Sequence, residues 1–465
     1  MFASSRLTPT FIAVALAAIP SMLVSQQLPE DGRGQGLLNM EWHAARRAQL
    51  MEEVGRGIIV LRGAPTLDDY REFRQDNNFW YLTGITTPNA ALILIPEAKE
   101  VFLLVPPVDP RMETWMGDLI DPKEAQALTG IKRCLPTGKM SRSGNWDGLE
   151  KAIRKALLLA TEKIIYVQEM PSENWMMSRD NLLTAARSQA VDPFDGRNTR
   201  ERQFKEKLKE VFEEVEVKDI TTLLDALRIY KTPEEVEAMR RACEISGAAH
   251  TNIMKSAQLG DYEWQMAAQM TGDFYSAGAM GPGYMAIVGT GPNSCTLHYS
   301  ANNRKLTDGD IVMIDYGAEY NHYVADVSRT WPAGEKFTER QAEIYQAVYD
   351  AQEAAFKECK PGSNLRNVHR AAYLVLKERG FAEAFPHGTS HWLGMATHDV
   401  GAPFAEFKPG AAFTVEPGVY LADEEIGVRI EDVIVITETG YEILTAGIPR
   451  KLEDIEALRA ASYKK

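Results

Sequence analysis

Four carboxylates and one imidazole stand where a strand pattern calls for apolar side chains. Asp315 ends the run IVMID, Asp326 lies inside YVADV, Glu416 inside FTVEPG and Glu431 inside VRIEDVIVI, with His391 in HGTSHWLG. An isolated ionised carboxylate buried in such a strand costs several kcal/mol. One of them could be salt-bridged or face outward. Four in one region, together with a histidine, call for a shared counter-charge. A pair of divalent cations bridged by carboxylates supplies it. The hard oxygen donors suit Mn²⁺, and the imidazole admits Zn²⁺, Co²⁺ or Fe²⁺.

The elements around these residues must deliver them to one place. Ile311–Asp315 and Tyr323–Val327 read as a hairpin or adjacent strands, with Asn321 in the turn, and 411–420 and 427–437 read as further strands. Helices should back them. Thr232-Pro233-Glu234-Glu235 combines an N-cap, a first-turn Pro and a capping-box Glu, with Val236, Met239, Cys243 and Ser246 on one face. Thr338 to Gln341 is a second capping box, and its helix must stop by Lys360-Pro361-Gly362. Ser363 can cap the helix after it, which Gly380 would end. Residues 37–218 look different: a helix at 37–55, strands at 57–62, 90–95 and 101–105, a helix at 147–160 and a strand at 163–167. That alternation predicts a smaller α/β layer. The charged stretch 195–218 reads as a solvated helix at its edge.

The chain has 465 residues and a net charge of −14, enough length for two or three domains. Hydrophobic content of 45% excludes global disorder, and the acidity excludes a nucleic-acid-binding surface. Residues 1–25 fit a secretory signal peptide: Arg6, then an apolar run from Phe11 to Val24, then Ser25. That predicts export to the periplasm or medium, with an uncleaved N-terminal anchor as the alternative. Residues 26–36 read as a linker. The four cysteines form no C-x-x-C pair and read as buried or idle thiols.

The order Asp315, Asp326, His391, Glu416, Glu431 resembles the dinuclear metallopeptidases of the pita-bread fold. HGTSHWLGMATHDVG, FTVEPGVY, GVRIEDVIVITETG, VGTGPNSCTLHYS and the N-terminal YREFRQDNNFWYLTGITTPNAALIL resemble aminopeptidase P in particular. The likeness spans about 40 to 460. It implies an α+β chain with a C-terminal pita-bread domain (219–465) behind a smaller α/β N-terminal domain (37–218). It implies a hydrolase that releases the residue before proline by attack of a dimetal-bridging hydroxide. An Xaa-Pro dipeptidase is the alternative, and a non-catalytic pita-bread binding protein a more distant one. The partner is then a peptide with a free N-terminus and proline second, and a homo-oligomer is compatible with the pattern.

The same resemblance assigns roles. Asp326 and Glu431 bridge two metals, Asp315 holds one, and His391 and Glu416 hold the other. Glu416 doubles as proton shuttle. His298 and His398 match catalytic histidines outside the ligand set, and His387, Tyr420 and Arg429 match residues that shape the proline pocket. His43, His250, His322 and His369 read as surface or helix-face residues, and Trp80 and Tyr81 as core or interface aromatics.

Overall fold

The computed structural model describes residues 38–66, 72–139, 146–173, 175–176 and 178–462. The expected leader and linker lie outside the described residues. The N-terminal part is a six-stranded sheet of order β4-β3-β2-β1-β5-β6. Its strands are β1 (Ile58–Arg62), β2 (Ala91–Ile95), β3 (Glu100–Val105), β4 (Arg133–Pro136), β5 (Ile164–Val167) and β6 (Glu216–Asp219). β1, β2 and β3 pair antiparallel, whereas β1/β5, β3/β4 and β5/β6 are parallel. β1 and β2 are nearly continuous apolar runs because both sheet faces are covered. One apolar core runs from Trp42 and Leu50 under the sheet to Ile455; a second lies on the opposite face, against the helix Asp147–Leu159. That helix turns Leu149, Ile153, Ala156 and Leu157 inward, the Leu and Ile side chains each worth about 1.5–3 kcal/mol when fully buried.

The stretch 195–218 is not one helix. The helix Arg200–Val211 is largely solvated, but Leu208 is buried and the chain continues into edge strand β6. The alternation Glu216, Val217 is a strand signal inside a charged run.

The C-terminal part carries β7 (Gly281–Pro282), β8 (Ile287–Thr290), β9 (Ile311–Asp315), β10 (Ala318–Tyr320), β11 (Tyr323–Val324) and β12 (Ser328–Pro332). Later come β13 (Ala412–Val415), β14 (Gly418–Leu421), β15 (Ile426–Arg429), β16 (Asp432–Ile436) and β17 (Tyr441–Ile443). The helix Pro233–Ser256 starts with the expected capping box at Thr232 and packs Met239, Cys243 and Ser246 inward. Glu339–Phe356 starts with the capping box at Thr338. The helix Leu365–Glu378 is capped by Asn364, one residue after the expected Ser363, because the Asn364 side chain accepts from Asn367 N–H.

The strands predicted around the acidic residues are broken at those residues. Asp315 is the last residue of β9, as expected. Asp326 lies between β11 and β12. Glu416 lies between β13 and β14, and Glu431 between β15 and β16. β13 pairs with β16 up to Val415↔Asp432, and β14 with β15 from Gly418↔Arg429, so one antiparallel ribbon is interrupted on both strands at the same level. Pro417, which has no N–H, sits in that gap. A break frees a side chain from strict alternation and lets both acids face one side.

The turn between β10 and β11 uses Asn321 and His322, both at positive φ (49° and 66°). Two consecutive left-handed residues make the tight hairpin turn that matches strand twist. Gly317 is needed beside it: a Cβ there would lie 1.8 Å from the Ala325 carbonyl oxygen.

Three histidines depart from the surface expectation. His43 is buried, with Nδ1 on the Tyr81 carbonyl (3.0 Å), and His250 is buried, with Nε2 on the Tyr316 carbonyl (2.9 Å). His322 is buried in its turn, stacked 4.0 Å from the Trp80 ring. Helix periodicity gives a face, not what covers it: Tyr81 and Trp80 cover His43, Tyr316 covers His250, and only His322 is covered from the other half of the chain, by Trp80. Cys243 and Cys359 are buried free thiols, and Cys134 and Cys295 are half-buried. No helix among the described residues is long and apolar enough to cross a membrane.

Candidate metal centre

The breaks bring Asp326, His391 and Glu431 together. One ligand atom from each lies within 4.8 Å of the others. His391 Nε2 is 3.3 Å from Asp326 Oδ2 and 3.4 Å from Glu416 Oε1. Its Nδ1 lies 3.1 Å from the Trp392 carbonyl. A carbonyl only accepts, so the proton of the neutral ring sits on Nδ1 and the Nε2 lone pair faces the acids. Glu416 is half-buried. Its backbone N–H donates to the Thr389 carbonyl (2.7 Å), and Thr414 Oγ1 donates to Oε1 (3.2 Å).

Asp315 joins the set through Arg429. Arg429 Nη2 donates to Asp315 Oδ2 at 2.7 Å, and Nη1 donates to the Tyr420 hydroxyl at 2.9 Å. The Tyr420 hydroxyl lies 2.9 Å from His387 Nε2, and His387 Nδ1 lies 2.8 Å from the Gly388 carbonyl. Because guanidinium only donates, Tyr420 accepts from Arg429 and is free to donate to His387. The direction of the chain Arg429, Tyr420, His387, Gly388 is thereby set.

His398 stacks on His391 with ring centroids 4.0 Å apart. Burial first, then the neighbouring His391, lowers its pKa to about 4. His298 is exposed in the turn after the short 3₁₀ helix Gly291–Cys295. Among the described residues no hydrogen bond or ring contact ties His298 to the cluster; only the carbonyl of its neighbour Leu297 reaches Arg429, at 3.4 Å.

Three further residues touch the acids without any signal in the sequence pattern. The Tyr284 hydroxyl donates to Asp315 Oδ1 (2.6 Å). Ser328 Oγ donates to Glu431 Oε2 (2.7 Å) and accepts from Arg429 Nε (2.8 Å). Thr414 supports Glu416, as above. A lone Tyr, Ser or Thr in an apolar run is too common to single out. Only the strand register Ser328↔Asp315 places one of them beside the site.

The donor set fits a divalent cation pair. Burial, and then repulsion from Asp326, Glu416 and Asp315, pushes Glu431 well above the usual carboxylate range. Burial works against a charge on His391, yet Asp326 and Glu416 outweigh it and raise the ring to about 9. Both shifts signal a local excess of negative charge that a cation relieves. Asp326, His391, Glu416 and Glu431 offer oxygens and one imidazole nitrogen at ligand spacing.

Residues 237–438 match the model of metallopeptidase family M24, and 43–146 that of the aminopeptidase P N-terminal domain. The chain is 32% identical over 459 residues to an Xaa-Pro aminopeptidase of Escherichia coli K12, covering 90% of this chain and 97% of that one. Proline aminopeptidase P II from Yersinia pestis superposes with a TM-score of 0.75 at 32% identity, covering 91% of this chain and 100% of the other. Aminopeptidase PepP of Pseudomonas aeruginosa superposes with a TM-score of 0.76 at 29% identity, covering 91% and 98%.

Proposed function

The chain belongs to the M24 metallopeptidases of the aminopeptidase P type, and from that premise we propose how its residues act in releasing an N-terminal residue that precedes proline. It is an Xaa-Pro aminopeptidase with the pita-bread fold in its C-terminal part and divalent metal ions as cofactor. The dipeptidase alternative is not favoured, since its relatives are Xaa-Pro aminopeptidases. The single observation that carries the site assignment is the convergence of Asp326, His391 and Glu431 from three separate strand breaks and loops.

Asp315, Asp326, His391, Glu416 and Glu431 would hold the ions. Mn²⁺ is the native metal in this reading, supported by the oxygen-rich donor set. Bound there, the ions would supply Lewis-acid polarisation of a peptide carbonyl and would lower the pKa of a water. Glu416 Oε1 takes the proton from that water and delivers it to the leaving nitrogen. The step is obligatory, because a peptide nitrogen, proline's included, leaves as an amine only once protonated. His387 stands edge-on to Phe385, with centroids 4.9 Å apart, and close to Tyr420. These rings offer a flat apolar wall for the pyrrolidine, and the Arg429–Tyr420 chain keeps His387 in one orientation. Burial lowers the His387 pKa, so the wall stays uncharged. His398 lies against the reacting carbonyl, and His298 on the rim contacts the substrate further along. The carboxylates attract the substrate's N-terminal ammonium.

Hydrolysis of Xaa-Pro-Yaa, Xaa-Ala-Yaa and Xaa-Pro peptides by the metal-loaded protein tests this reading. It predicts cleavage of the first at a rate far above the second. Equal rates on the first two would remove the proline pocket, and activity confined to the dipeptide would reverse the assignment. Export is part of the proposal, supported by the apolar run from Phe11 to Val24. Mass mapping of the mature N-terminus tests it, and a retained leader on cytoplasmic protein would contradict it.

A further inference from the structure

His398 is gripped by a segment from the other half of the chain. The helix Arg179–Val191 has Ser178 at its N-cap, and Ser178 makes no side-chain cap. The first amide of that helix goes elsewhere: Arg179 N–H donates to the His398 carbonyl at 3.2 Å. The next residue, Asp180, puts Oδ2 3.3 Å from His398 Nδ1. A carboxylate only accepts, so Nδ1 carries the ring proton and the neutral ring keeps Nε2 bare. This contact stands on a firm base. Arg179 is ion-paired with buried Glu173 and, at 2.6 Å, with Asp225. Glu173 also holds Arg228 at 2.8 Å, and Arg228 holds Asp399, the residue after His398. One network therefore fixes the main chain on both sides of His398.

We propose that Asp180 is a positioning residue for the reaction. Its carboxylate selects the Nδ1–H tautomer of His398 and fixes the rotation of the ring stacked on His391. This rests on the placement of His398 at the reacting centre made above. Asp180 is 79% exposed, so the contact adds little to stability. Its contribution is orientation, which acts on rate rather than on folding.

The test uses the full-length metal-loaded enzyme on an Xaa-Pro-Yaa peptide, with Asp180→Ala, Asp180→Asn, His398→Ala and the double variant Asp180→Ala/His398→Ala. Asp180→Ala should lower kcat by roughly five- to tenfold with KM nearly unchanged. Its thermal midpoint and metal content should equal those of the parent. Asp180→Asn should recover most of the rate, since the amide oxygen still accepts from Nδ1–H. In the His398→Ala background Asp180→Ala should be silent. In metal-free protein, ¹⁵N NMR should show the Nδ1–H tautomer for His398 and a tautomer mixture after Asp180→Ala. A normal kcat for Asp180→Ala, beside a large loss for His398→Ala, would overturn the role of Asp180 alone. An equal Asp180→Ala loss in both backgrounds would also overturn it. Full activity of His398→Ala would overturn the placement of His398 and the proposal with it.

Discussion

Two buried clusters of charge in this molecule are built to opposite rules. At the junction of the two halves, three carboxylates (Glu173, Asp225, Asp399) meet three cations (Arg179, Arg228, Lys231). Asp399 is held below its usual range: burial opposes its charge, but Arg228 and Lys231 prevail. At the strand breaks, four carboxylates (Asp315, Asp326, Glu416, Glu431) face one guanidinium, Arg429, and there Glu431 is pushed up. The first cluster balances its charges as folded and acts as a joint. The second keeps an excess of negative charge as folded, the imbalance that a cation would relieve. Buried ion pairs by themselves say little about activity. The sign of the residual charge separates the joint from the site.

Substitution should pull the two clusters apart, and the largest effect should come from Asp326→Ala. Turnover should fall by roughly a thousandfold or more with the loss of bound metal, while urea unfolding of the metal-free protein shows stability equal to or above the parent's. A strongly destabilised metal-free Asp326→Ala would place Asp326 in a joint like the other and erase the contrast.

Arg228→Met should do the reverse. It leaves Glu173 and Asp399 buried with fewer partners, so stability should drop by about 3–5 kcal/mol. Metal affinity of the folded fraction, measured by calorimetry at low temperature, should stay near that of the parent. An affinity loss matching that of Asp326→Ala would mean that the clusters are one unit.

The smallest effect sharpens a different contrast, between buried histidines that gain charge partners and those that do not. Burial lowers the His43 pKa to about 4, chiefly by desolvation. The folded state then binds fewer protons than the unfolded state between that value and the ordinary pKa of about 6.5. His43 thus contributes stability that is full above about pH 6.5 and is lost as pH falls toward 4, at up to about 1.4 kcal/mol per pH unit. Asp76 and Asp225, raised to about 6 mainly by burial, tilt the profile the other way, so the comparison must be with His43→Gln. The variant's profile should lack this slope, as read from urea melts of metal-free protein between pH 4 and 7. Parallel profiles would show that the buried ring carries no such linkage.

Much of this was legible in the sequence for a physical reason. Capping boxes at Thr232 and Thr338 are local hydrogen-bond arrangements, and the apolar runs of β1 to β3 reflect burial on both faces. The acids were conspicuous because ionised groups do not belong in apolar runs. The breaks at Asp326, Glu416 and Glu431 were not legible, because apolar alternation continues across them and only tertiary pairing interrupts the ladder. Tyr284, Ser328 and Asp180 were hidden for a related reason. Each meets its partner from far along the chain, and none carries a local pattern. His322 was misplaced because a turn position predicts exposure, whereas here the turn is capped by Trp80 from the N-terminal part.

The four carboxylates and His391 should hold two cations, and the reaction should require them. Calorimetric titration of metal-free protein with Mn²⁺, followed in the same cell by hydrolysis of an Xaa-Pro-Yaa peptide, tests this most directly. Two equivalents should bind per chain, with activity rising as the sites fill and both lost in Glu431→Ala. Full turnover in protein free of divalent metal, or unchanged binding of two equivalents by Glu431→Ala, would contradict this.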